Sequence, residues 1–149
     1  MKNTILIFLF LVISGNLTIA QPPETIYPGN VVYEGYYDDR SWGPYNIGFN
    51  FNYYGNNYSQ FHVTSNGLVM FGTGSYDYTE DPIPSGGSPN NYIAAFWDDI
   101  VIDPSGKILY TTMGAARNRK CVIQWTNMGF YGSPVLMGTF SVILYEGSN

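Results

Sequence analysis

Residues 45 to 53 read YNIGFNFNY, and every odd position is apolar or aromatic while every even one is Asn or Gly. A two-residue period lays one set of side chains on a packed face and the other in water, which is the pattern of a β-strand and not of a helix. Moving outward, Gly55-Asn56-Asn57 turns the chain, and Phe61 and Val63 enter a second strand. Asn66-Gly67 then predicts a type I′ hairpin turn, whose two central residues both need positive φ, before Leu68 to Phe71 returns. Phe61, Val63, Leu68 and Phe71 are expected in the core, with the alternate positions facing out.

Beyond this hairpin, GTGSYDYTEDPIPSGGSPNN (72–91) is rich in Gly and Pro and shows no sustained period, so it reads as a long surface loop. Tyr92 to Trp97 is a continuous apolar run, as expected of a central buried strand. Lys107–Met113, Cys121–Thr126 and Met137–Tyr145 add three more strands, with Pro104-Ser105-Gly106 as a turn between two strands. Short strands at regular spacing predict an all-β, antiparallel β-sandwich of about six to seven strands. Glu146-Gly147-Ser148-Asn149 reads as a hairpin turn with no strand returning from it, so either a truncated domain with its last strand missing or an open edge that invites pairing is expected.

Composition agrees. Of 149 residues only 11% are charged, whereas 14 are Tyr, 9 Phe and 17 Gly, favouring pleated strands and tight turns. The formal net charge of −5 leaves no electrostatic footprint for nucleic acid or an anionic membrane. At the N-terminus, Lys2, the nine apolar residues Ile5 to Ile13, and Thr18-Ile19-Ala20 follow the order of a secretory signal peptide. Nine residues are too few to span a bilayer, so no membrane span is expected after cleavage. The division is therefore a signal peptide at 1–20, a lead-in segment at 21–37 and a β domain at 38–149. Cys121, the only cysteine, rules out an intramolecular disulfide and reads as buried filler within a strand.

Several segments together resemble the nidogen-like family of extracellular β domains, especially versions found in large secreted bacterial surface proteins. They are Asp38-Asp39 with Gly43-Pro44, IGFNFNYYG (47–55), VTSNGLVMFG (63–72), IPSGGSPNNYIAAFWDDI (83–100), KILYTT (107–112) and TFSVILYEG (139–147). The resemblance implies a secreted β-sandwich module, usually an accessory binding or structural unit within adhesins, matrix proteins or exported proteases.

Residues with chemical potential are few. His62 is the only histidine, and alternation with Phe61 and Val63 places it on the outer face, with no nucleophile motif around Ser65 or Cys121. One His and one distant Cys make a poor zinc set, so no catalytic residue is assigned. The carboxylates offer more. Asp98, Asp99 and Asp103, with Asp77 or Asp81 across the long loop, could supply oxygen ligands to Ca²⁺; the competing reading is turn and strand-end hydrogen bonding. Asp38-Asp39 reads as a turn with exposed acids. Tyr53, Tyr54, Tyr76 and Tyr78 are candidate ligand contacts, since Tyr gives broad contact at low entropic cost. The expected function is a non-catalytic extracellular module that is adhesive or binds a glycan or matrix protein, as one part of a larger surface protein. The alternative is a polysaccharide hydrolase using carboxylates near Asp98/Asp99.

Overall fold

The computed structural model describes residues 29–84 and 86–147. The expected signal peptide and most of the lead-in lie outside the described residues. Eight strands follow in order: β1 (Asn30–Glu34), β2 (Ser41–Tyr53), β3 (Asn56–Thr64), β4 (Leu68–Met70), β5 (Tyr92–Ala94), β6 (Ile100–Met113), β7 (Lys120–Phe130) and β8 (Leu136–Tyr145). They build two antiparallel four-stranded sheets, ordered β1-β6-β7-β8 and β2-β3-β4-β5, with no helix among the described residues. Ile47, Phe49 and Phe51 of β2 face Ile100, Ile102, Ile123 and Trp125 of the other sheet in one buried cluster. The strand reading of 45–53 holds: Gly48, Asn50 and Asn52 are exposed between the buried aromatics.

The chain changes sheets twice. It leaves the first sheet after β1, crosses through residues 35–40 and enters β2 of the second; it returns through residues 95–99, between β5 and β6. A strand also makes contact across the gap. Four residues of β2, Ile47 to Asn50, stand opposite the single Ser59, an irregularity that interrupts the β2–β3 ladder. There Thr112 Oγ1 donates to the Ile47 carbonyl at 2.6 Å and Arg119 Nη1 to the Gly48 carbonyl at 2.7 Å. Arg119 also grips Glu146 through Nε (2.8 Å) and Nη2 (2.6 Å). Those charge-assisted bonds lower the Glu146 carboxyl to about 2 and fasten the end of β8 to the β6–β7 connection.

Several expectations are corrected here. The strands number eight, because Asn30–Glu34, assigned to the lead-in, is β1 and pairs with Tyr110 to Lys107 of β6; the domain therefore starts before residue 38. Tyr92–Trp97 is not a central strand. Only Tyr92–Ala94 pairs, at the edge of its sheet, and the apolar character of the rest serves the crossover, where Phe96 leans on Phe130 and Phe140 at 6.0 and 5.9 Å. Pro104-Ser105-Gly106 does not separate two strands. β6 runs through it as a bulge, with residues 103–106 opposite Asn127 alone, since Pro and Gly mark bulges as readily as turns.

In β4 the alternation fails outright: Leu68, Val69 and Met70 are all buried. Val69 and Phe71 join the main cluster, whereas Leu68 and Met70 lie on the opposite face; Leu68 is buried as expected, but apart from Phe61, Val63 and Phe71. The start of the following loop reaches over that face, where the Ser75 N–H meets Met70 Sδ at 3.3 Å.

Candidate functional site

The β3–β4 turn is the most enclosed turn of the fold's described part. Thr64, Ser65 and Asn66 have no accessible surface, although loops ordinarily run over the exterior because their backbone groups need water. Here both crossovers replace the water. From the first, the Arg40 carbonyl accepts from Ser65 N–H at 2.9 Å and Arg40 N–H donates to Ser65 Oγ at 3.0 Å. From the second, the N–H groups of Ala95 and Phe96 reach the Gly67 carbonyl at 3.1 and 3.4 Å. Trp125 Nε1 comes up from the first sheet to the Thr64 carbonyl at 2.8 Å. Only Gly67 has positive φ (+76°); Asn66 does not. The expected type I′ turn is thus corrected to a longer loop with one left-handed residue at its end.

Three carboxylates gather beside this turn. Asp38 and Asp39 come from the first crossover and Asp99 from the second, with one oxygen of each within 4.8 Å of the others. Burial first, then the Asp39 and Asp99 charges, raises the Asp38 carboxyl above its ordinary value; burial, then Asp39 and Asp98, does the same to Asp99. Asn66 Nδ2 donates to Asp39 Oδ1 at 2.9 Å. Asn66 Oδ1, on the same amide, and Asp38 Oδ1 are buried without a hydrogen-bond partner.

The far end of the second sheet holds a different feature. Tyr53 pairs with Asn56, so Tyr54-Gly55 forms a two-residue turn, and both have positive φ (46° and 82°). That is the backbone of a type I′ turn, where Asn and Gly are the usual occupants. Tyr54 is instead 89% exposed, its ring edge-on to Tyr53 at 4.8 Å. A cleft of about 440 Å³ opens beside it, lined by Tyr53, Tyr54, Ile83, Pro84 and Tyr92 among others.

A model of the family described as NIDO related matches residues 20–149. The chain belongs to the NIDO-related family. Neither a curated protein nor a solved structure matches it. The resemblance drawn from the sequence therefore holds, and with it the extracellular type of domain. No helix among the described residues is long and apolar enough to cross a membrane.

Of the acids expected to bind calcium, this NIDO-related domain brings only Asp99 into the cluster. Asp98 neighbours it and accepts the Asp99 N–H on Oδ1 at 2.8 Å. Asp103 lies elsewhere, its Oδ1 capping the β6 bulge by accepting Ser105 N–H and Oγ–H at 2.9 and 2.8 Å, which lowers its pKa. Asp77 Oδ1 takes the Thr79 N–H at 3.0 Å, and Asp81 lies near Tyr92, whose phenol is raised first by burial and then by the Asp81 charge. Asp38 and Asp39, read as exposed turn acids, both join the cluster: Asp39 is exposed as read, with φ +43°, whereas Asp38 is half-buried and its Oδ1 fully so. No local spacing announces this set, because its members lie some sixty residues apart.

The tyrosines also divide. Tyr53 is half-buried against Phe51 and Phe71, and Tyr54 stands at the β2–β3 turn. Tyr76 and Tyr78 are exposed, but the Tyr76 carbonyl faces Asn66 Nδ2 at 3.4 Å, which places that pair at the opposite end of the sheet. Cys121 is buried, and desolvation pushes its thiol up to about 11, so the reactive thiolate is scarce at neutral pH. His62 is half-buried on the outer face, opposite Met70.

Proposed function

We propose that this NIDO-related domain is a secreted, non-catalytic interaction module, adhesive or glycan- or matrix-binding, of the kind carried by larger cell-surface proteins. The observation that carries the reading is Tyr54. A bulky residue at positive φ is disfavoured by about 1–2 kcal/mol, and its ring is left in water at the tip of a two-residue turn. Folding alone favours Asn there. Strain of this kind, held where the surrounding structure over-determines it, marks functional positions. The exposed ring, with Ile83, Pro84 and Tyr92 flanking a shallow cleft, offers an apolar platform of the sort on which the C–H face of a sugar ring packs.

Replacing Tyr54 by Asn is expected to leave the melting temperature unchanged or slightly higher, because relief of backbone strain offsets the lost Tyr53 contact of roughly 0.5–1.5 kcal/mol. Binding to the glycan or matrix ligand found by array screening should fall at least tenfold. Full binding in the variant would remove Tyr54 from the contact surface. A reducing-sugar assay on the same preparations separates the hydrolase alternative: turnover that disappears in Asp99→Asn would replace binding by catalysis as the function.

A further inference from the structure

We propose that Asp38, Asp39, Asp99 and Asn66 form a calcium site that fastens the two sheet crossovers to the β3–β4 turn. The inference is independent of the ligand assigned to Tyr54, which stands at the other end of the sheet.

Four observations carry it. The first is the missing partner. Asn66 is completely buried and its Oδ1 meets no donor, while Nδ2 of the same amide donates to Asp39 Oδ1 at 2.9 Å and to the Tyr76 carbonyl at 3.4 Å. Buried amide oxygens are almost always satisfied; with a cation at the carboxylates, a half-turn of the amide would exchange the Nδ2 bonds to Asp39 and the Tyr76 carbonyl for coordination through Oδ1. Asp38 Oδ1 is a second buried acceptor without a donor.

Charge is the second. Three carboxylates converge and no Lys or Arg pairs with them; among the described residues the ion pairs are Lys107–Glu34 and Arg119–Glu146. Arg40, adjacent in sequence, sends its guanidinium away, donating to Tyr37 Oη at 3.0 Å and lying over the Tyr37 and Trp42 rings. Close carboxylates in a partly buried site are costly unless neutralised.

Distance is the third. Two oxygens sharing a Ca²⁺ at 2.3–2.6 Å can be no more than about 5 Å apart, and the three carboxylate oxygens lie within 4.8 Å of one another. The donors are all hard oxygens with no nitrogen or sulfur, which selects Ca²⁺ over Zn²⁺.

Topology is the last. Asp38 and Asp39 sit on the passage from the first sheet to the second, Asp99 on the passage back, and Asn66 on the turn between them. One ion would therefore close three loops that are far apart in sequence.

The test is thermal unfolding of the purified, chelator-stripped chain across a CaCl₂ series up to about 10 mM, an order above the weakest affinities of extracellular calcium modules, with MgCl₂ alongside. The melting temperature is expected to climb with calcium and less with magnesium; above the Kd, each tenfold rise in free calcium lowers the unfolding equilibrium constant tenfold. Asp99→Asn should abolish the climb, yet melt no lower than the wild type in chelator, because it deletes one of the repelling charges. Calorimetric titration of the wild type supplies a reading independent of any variant's folding, with one site per chain expected. An unmoved wild-type melting temperature, absence of binding heat, or a calcium response that persists undiminished in Asp99→Asn and Asp38→Asn would each overturn the site.

Discussion

Valine in place of Gly67 is expected to cost about 3 kcal/mol or more, enough to lower the melting temperature by roughly 10 °C in a domain of this size. Two penalties combine. The position has φ +76°, a region that β-branched residues avoid. A Cβ built there also falls 2.1 Å from the Phe96 carbonyl oxygen and 2.8 Å from its carbonyl carbon. Those are backbone atoms of the second crossover, which the Gly67 carbonyl itself holds, so the clash cannot be relieved by a rotamer change. Gly55 supplies the control. Its φ is +82° but nothing lies within 4 Å of its Cβ position, so Gly55→Ala should show the conformational penalty alone, about 1 kcal/mol. Chemical denaturation of Gly67→Ala, Gly67→Val and Gly55→Ala separates the two terms. Equal losses at positions 55 and 67 would mean that the turn is not clasped by the crossover.

Trp125→Ala should be the most damaging core change. The indole is fully buried, stacks on Phe140 at 4.8 Å with the planes 15° apart, and donates to the Thr64 carbonyl. Truncating a buried Trp costs about 3–5 kcal/mol through lost transfer energy and the cavity left behind, and removal of a donor from a buried acceptor adds about 1–3 kcal/mol. Against a total stability of roughly 5–15 kcal/mol, the variant is expected to be largely unfolded at 37 °C by circular dichroism. Trp125→Phe keeps most of the ring and loses the donor, so its urea midpoint should fall by the smaller increment only. If the two variants were equally stable, the indole N–H would have no part in tying the first sheet to the turn.

What was legible in the sequence follows from what short-range pattern encodes. Alternation in Tyr45–Tyr53 and the apolar runs in β6, β7 and β8 report the face each residue presents, so the all-β sandwich and most of its core could be read directly. β1 is five residues long and became a sheet member through its long-range pairing with β6, which no local period records. Position within a sheet was likewise invisible: Tyr92–Trp97 is apolar because its second half packs across the crossover, not because it lies centrally. The two turns were exchanged for a related reason. Asn-Gly at 66–67 carries the usual composition of a type I′ turn, whereas Tyr-Gly at 54–55 adopts that backbone; propensity describes the favoured occupant, and Tyr54 is not one. Sequence proximity makes Asp98, Asp99 and Asp103, with Asp77 or Asp81 across the loop, the expected oxygen cluster. The fold instead brings Asp99 to Asp38 and Asp39, and sends Asp103 to the β6 bulge.

The central claim is that the β3–β4 turn is an interior junction where both crossovers meet. Residue-resolved hydrogen exchange tests it most directly, since the amides of Ser65, Leu68 and Ala95 are bonded to the Arg40 carbonyl, Thr64 Oγ1 and the Gly67 carbonyl. They are predicted to exchange as slowly as the amides of β3, opening only with the global unfolding of the domain. Exchange at Ser65 and Leu68 as fast as at the exposed Tyr54-Gly55 turn would contradict the account.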